Sequence, residues 1–259
     1  MRDPPRIAVR WRDLTGLSRL EVVTELALPL PWLALALIAG HAGLPALTVL
    51  ASFVMFMTGL RVTHNAFHRT LGLHRRGGDI VMFTLSALLG GAMHAIEHTH
   101  LRHHARCMAS DDVEGQVALL GFWRALAHSP RYPLLIHVQA LRHGTRRQKR
   151  WIALELTTVA AIQIAIWCVS DSDTWKTISL SLLFANASAA MVGIWAVHRG
   201  CEHTGYAART SRNPVLNALV GNMFHHLEHH LYPGVPTRRL RILARRLDAT
   251  AAVPLPRVY

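Results

Sequence analysis

The chain has 259 residues, 51% hydrophobic and 17% charged, with a formal net charge of +13. A charge of that size can serve a nucleic acid, but the basic residues stay out of the long apolar stretches and gather at their flanks. That placement argues against nucleic acid and for a membrane surface. The three cysteines, Cys107, Cys168 and Cys201, are far apart and form no CxxC, which excludes a disulfide framework and an iron–sulfur motif.

Residues 1–25 carry Arg2, Arg6, Arg10, Arg12 and Arg19. No cleavage site follows them, so no cleavable signal peptide is expected. Residues 14–28 read as an interfacial helix leading into the first of three apolar blocks, at about 26–62, 151–169 and 178–197. About 20 apolar residues at ~1.5 Å rise cross a bilayer core of ~30 Å. The pattern therefore predicts four spans in two hairpins, at about 26–40 with 45–63 and 151–169 with 177–197. Pro29 and Pro31 suit the first turn of the first span. The hairpin turns at 41–45 and 170–176 hold only Lys176, while Arg and Lys crowd 142–150 and 238–246. By the positive-inside rule, both termini and the basic loops face the cytoplasm.

Between the hairpins, residues 80–93 are apolar but too short for an ordinary span and read as interfacial or re-entrant. Arg75, Arg76, Gly77 and Gly78 read as a surface turn before them. Residues 109–115 form an acidic turn, and short surface helices are expected near 117–127 and 133–142. His137 is expected at the surface or the membrane interface. Pro214 starts a further interfacial helix, residues 232–236 break it, and residues 237–247 form a basic surface helix. The expected fold is an all-α membrane protein. It is a single domain over 1–259, with a cytoplasmic histidine-rich cap. A bacterial-type inner membrane fits this pattern.

Three histidine clusters punctuate this frame: HNAFH with His64 and His68, HLRHH with His100, His103 and His104, and HLEHH with His226, His229 and His230. On a helix, positions i, i+3 and i+4 share a face. Each cluster thus aims imidazoles in one direction, and imidazole is the commonest metal-ligand side chain. Eight imidazoles exceed the needs of one ion, so two metals close together are expected. All three clusters fall on the cytoplasmic side and form one site there.

The order and spacing of these motifs resemble the integral-membrane fatty acid desaturase and hydroxylase superfamily. The most specific segment is residues 222–236, Asn-Met-Phe-His-His-Leu-Glu-His-His-Leu-Tyr-Pro-Gly-Val-Pro. The segment 199–203, Arg-Gly-Cys-Glu-His, followed by Arg209 and Thr210, resembles a further histidine segment of bacterial acyl desaturases. The resemblance covers about residues 64–240. It implies a di-iron centre held by His64, His68, His100, His103, His104, His203, His226, His229 and His230. It also implies two iron ions, O2 as co-substrate and oxidation of an unactivated C–H bond in a lipid or isoprenoid. Loss of a second hydrogen gives a double bond, whereas oxygen transfer gives an alcohol. Electrons would come from an external donor, a ferredoxin or cytochrome b-type protein with its reductase, and the basic face suits an acidic donor. The segments HNAFH and GFWRAL also resemble carotenoid ketolases and hydroxylases of the same superfamily.

Around the ligands, Asp111, Asp112 and Glu114 could orient imidazoles through their other ring nitrogen or could form a solvated turn. Glu202, Glu228, Asn222 and His225 are candidates for the same supporting role, and His94, His98 and His198 lie close by in sequence. Trp32, Trp151 and Trp175 read as interfacial anchors. Acyl desaturation is the leading expectation, with carotenoid ketolation or hydroxylation as the alternative. A membrane metal-binding or transport protein is a distant third, because its ligands would sit within the spans.

Overall fold

A computed structural model describes residues 8–251 and 255–258. Arg2 and Arg6 of the basic N-terminus lie outside the described residues. The described chain is helical with no strand, apart from an isolated bridge between Thr210 and Arg257.

Ser18 and Glu21 form a capping box that starts α1 (Arg19–Ala27). Pro29 and Pro31 interrupt the backbone ladder before α2 (Leu30–His41). Together α1 and α2 give a 23-residue apolar element, Arg19–His41, longer than the span at 26–40 expected from the sequence. The difference lies in Glu25, a charged residue that is fully buried. Its carboxylate accepts from Arg61 Nε at 3.0 Å on the next helix. A buried carboxylate is tolerable only when paired in this way.

Residues 42–44 lead into α3 (Pro45–Phe67), which packs along α2. At Phe67 this helix ends among the buried imidazoles. Two later helices cover its flank. One is α4 (Arg75–Leu89), and α5 (Met93–Arg106) follows at a 112° bend. Arg75, Arg76, Gly77 and Gly78, expected as a turn, are instead the first turn of α4. His74 makes this possible, because its Nδ1 accepts from the Gly77 N–H at 2.8 Å and caps the helix.

The short helices α6 (Phe122–His128) and α7 (Tyr132–His143) follow, close to the expected positions. A capping box at Thr145 and Gln148 starts α8 (Arg146–Ile164), which continues through a π-helical turn to Val169. Ser172 caps α9 (Asp173–Ala189), which packs on α2 and α3. It passes through a second π-helical turn, Ala190–Trp195, into α10 (Ala196–His198). The last elements are α11 (Pro214–Leu219), α12 (His226–Leu231) and α13 (Leu240–Thr250). Among the described residues, four helices are long and apolar enough to cross a membrane: Arg19–His41, Pro45–Phe67, Arg146–Val169 and Asp173–His203. The pair α4 and α5 passes the same test only as one broken element.

Trp151 is more than an anchor. It stacks on buried His94 at 5.0 Å with the rings 2° apart. His94 Nδ1 donates to Glu155 at 2.7 Å, which ties α5 to α8.

Candidate metal centre

Three helices deliver most of the histidines. The end of α3 carries His64 and His68, α5 carries His100, His103 and His104, and α12 carries His226, His229 and His230. The last imidazole, His198, closes α10. Their nitrogens converge into two groups. His64, His68, His100, His104 and His229 each place one ring nitrogen within 4.8 Å of the others. His198, His226 and His230 do the same, and His103 joins His198 through a shared group with Cys107.

Contacts inside the groups have the spacing of ligands about a common ion. His100 Nε2 lies 3.0 Å from His68 Nε2, and His229 Nε2 lies 2.8 Å from His104 Nε2. His198 Nε2 lies 2.9 Å from His226 Nε2 and 3.1 Å from His103 Nε2. Two nitrogens each ~2.1 Å from one metal at a right angle stand roughly 3.0 Å apart. Among the described residues, neither ring nitrogen of buried His64 has a hydrogen-bond partner, and neither does His230 Nε2. A buried polar atom left in that state is costly, and a metal ion removes the cost.

The opposite face of several rings is fixed. His103 Nδ1 donates to Asp112 at 2.8 Å and His100 Nδ1 donates to Glu114 at 3.2 Å. His198 Nδ1 donates to the Ala207 carbonyl at 2.7 Å. Each bond commits Nδ1 as the protonated nitrogen and turns the Nε2 lone pair inward. Burial, reinforced by neighbouring imidazoles, keeps His104, His226, His229 and His230 well below the usual range, and lowers His68 to about 2. These rings are neutral, as ligands must be. His103 differs. Burial, the largest single influence, lowers it, but the charge of Glu114 and hydrogen bonds to Cys107 and above all to Asp112 together outweigh burial and raise it to about 10, so a bound metal would displace its Nε2 proton. The Asp112 carboxylate makes its Nε2 a stronger donor to a metal.

An apolar cavity of ≈110 Å³ opens onto both groups, reaching His64, His100 and His226. A second cavity, of ≈50 Å³, continues past His226. The two share Leu60, Ala189, Gly193 and Met223. Gly193 belongs to the π-helical turn, and a Cβ there would meet nothing within 4 Å. The turn widens the helix where the cavities meet.

Eight of the nine histidines expected as ligands are thus brought together. The ninth, His203, is not. Its side chain is 84% exposed, and its ion-pair neighbour is Glu202 at 3.6 Å. His198, fully buried, stands in its place. The helix stops at His198, and Gly200 at φ 74° reverses the chain, so His203 is carried outward.

Of the supporting residues, Asp112 and Glu114 contact ligand rings, but Asp111 turns away to Arg102 and Arg106. Glu228 is buried against Arg212 at 2.7 Å and Thr210 at 2.6 Å rather than against an imidazole. His225 lies 3.5 Å from Arg212. Asn222 sits at φ 66° in a turn, beside Arg61 and Arg212 rather than the imidazoles. Glu202 pairs with exposed His203.

Two further residues adjoin the site. Cys107 Sγ stands 3.8 Å from His103 Nε2. His137, expected at the surface or the membrane interface, lines the larger cavity and accepts from the Ala92 N–H at 3.0 Å. Its spacing of four from Pro133 on α7 was the available signal, since the two share a helix face.

Residues 39–257 match the family model described as fatty acid desaturase. No curated protein matches the chain. With its histidine motifs gathered in space and a match over most of its length, the chain belongs to the fatty acid desaturase family.

Proposed function

We propose that the protein is a membrane oxidoreductase that desaturates an acyl chain, using a di-iron centre and O2. One observation carries the reading: an apolar cavity ends on imidazoles from both histidine groups. His64, His68, His100, His104 and His229 would hold one iron, and His103, His198, His226 and His230 the other. When bound, the pair of irons supplies the oxidation of an unactivated C–H bond.

The protein's own residues do the rest. Phe56, Leu60 and Ile136 surround the chain and exclude water. The two cavities, narrow and joined at shared residues, suit a flexible chain laid past the site. Glu114 and Asp112 hold His100 and His103 in the tautomer that faces inward. Four membrane spans, with α4 and α5 re-entrant, would put the histidines and both termini on the cytoplasmic side. The whole chain then acts as one domain. Electrons would arrive from a ferredoxin or cytochrome b-type partner, and the basic flanks support an acidic docking face.

The test is expression with a ferredoxin and its reductase, followed by mass spectrometry of lipids and pigments. Loss of two hydrogens from an acyl chain is the expected result. Oxygen gained by a carotenoid would replace this reading with ketolation or hydroxylation. No oxidised product, together with metal flux across vesicles, would end the enzyme reading altogether.

A further inference from the structure

The larger apolar cavity is not apolar throughout. Besides the imidazoles at its end, Glu114, Tyr132, His137 and Asn186 line it. Two of these four are committed. Glu114 accepts from Thr99 at 2.6 Å and from His100 at 3.2 Å. His137 accepts from the Ala92 N–H through Nε2 and donates to the Pro133 carbonyl through Nδ1 at 2.6 Å.

Tyr132 and Asn186 have capacity to spare. Tyr132 is only 6% exposed, yet its hydroxyl has no hydrogen-bond partner among the described residues. That oxygen is not sealed within the protein, so its free surface is the cavity it lines. Burial, reinforced by the charges of Glu114 and Asp112, raises the phenol well above its ordinary value, so it keeps its proton and can donate. The Asn186 amide nitrogen donates to the Leu89 carbonyl at 2.8 Å and the Leu182 carbonyl at 2.9 Å. Both its N–H bonds are then used and Oδ1 is turned the other way, where nothing among the described residues donates to it. A polar group left so is costly unless something in the cavity meets it.

The two groups belong to one junction. Ser129 Oγ donates to the Ala187 carbonyl at 2.6 Å, which pins the start of α7 against α9 beside Asn186. From these adjoining helices Tyr132 offers a donor and Asn186 an acceptor to the same cavity. A hydrocarbon answers neither. A carbonyl oxygen accepts from Tyr132 but leaves Asn186 unmet. A hydroxyl accepts and donates, and so answers both.

We propose that the cavity binds a long-chain lipid that already carries a hydroxyl group, seated between Tyr132 and Asn186. The two residues select that lipid and, by fixing its hydroxyl, set which carbon lies at the imidazoles. The shared chemistry is an alcohol on a long hydrocarbon, borne either by an acyl chain or by an isoprenoid. That the bound lipid is then oxidised rests on the reading above, whereas the hydroxyl seat does not.

The test uses the full-length protein purified in detergent and loaded with iron. Native mass spectrometry reads retention of two pairs of lipids that differ by hydroxyl groups. One pair is the positional isomers of methyl hydroxystearate, presented as a mixture, against methyl stearate. The other is zeaxanthin against β-carotene. A hydroxylated lipid should be retained about tenfold better than its parent, because a site built to bond a hydroxyl discriminates against the analogue lacking it. Tyr132→Phe should bring the pair to parity, with retention of the parent lipid and iron content unchanged. If that variant does not fold, Asn186→Leu is read the same way. A preference confined to the hydroxystearates assigns the acyl source, and one confined to zeaxanthin assigns the isoprenoid. Parity within both pairs would mean that water serves the two groups, and overturns the proposal, as does an undiminished preference in Tyr132→Phe. Tyr132-dependent retention with no oxidised product from either hydroxylated lipid would leave the hydroxyl seat standing and remove the oxidoreductase reading.

Discussion

The two histidine groups are built differently. The first takes imidazoles from α3, α5 and α12, with two of its five supplied by the end of a 23-residue helix. The second takes them from α5, α12 and the short α10, which follows a π-helical turn and precedes a glycine reversal. One group hangs on a long packed rod and the other on an interrupted one. The second is backed by Asp112 and approached by Cys107, whereas Glu114 backs the first.

The sharpest way to break this comparison is at His198. With the proposed di-iron centre, His198→Ala is expected to lose about one of two irons and to lower turnover more than ~100-fold, beyond the 10–100-fold typical of supporting residues. His203→Ala should keep both irons. Iron per chain by mass spectrometry decides, and metal loss in the His203 variant would return that residue to the ligand set. Next in size, Asp112→Asn and Glu114→Gln should each weaken iron binding by about 10–100-fold. A chelator-competition assay should show the Asp112 effect in the second group and the Glu114 effect in the first. Both losses falling in one group would mean the division is wrong.

Filling the joint between the cavities comes third. Gly193→Leu should cut turnover by about tenfold with iron unchanged, because a side chain of that volume enters the substrate path; a ~1.4 kcal/mol barrier suffices. Unaltered product yield would move the path elsewhere. The smallest effect concerns the periphery. The Arg246 hydrogen bond lowers the Asp13 carboxyl from 3.8 to about 2. A depressed carboxyl contributes stability that is complete above pH 3.8 and lost as pH falls toward 2. Hydrogen exchange in α13 should rise across that window, and Asp13→Asn should remove the transition.

Much of this site was readable from spacing. The motifs at His64, His100 and His226 sit on helices, so the i, i+3 and i+4 pattern gave their common direction. The same arithmetic applied to Glu228 would have placed it two residues from His226 and so on the opposite face, where it meets Arg212. His198 against His203 was not readable, because the answer depends on where a helix stops and on the left-handed turn at Gly200. Asp111 and Asp112 are neighbours in a turn, and only the fold decides which one faces His103. In the fold, the four apolar stretches were legible. The burial of Glu25 was not, since its partner Arg61 lies 36 residues away.

The helices α5 and α12 each serve both histidine groups: His100 and His104 against His103, and His229 against His226 and His230. The rings of His104 and His230, one from each group, stack 4.2 Å apart. An ion entering either group therefore immobilises the backbone that carries ligands for the other. The ordering entropy is largely met by the first ion, so the second binds to a framework already set. Iron uptake is then expected to follow a sigmoidal isotherm, with chains holding two irons or none and few holding one.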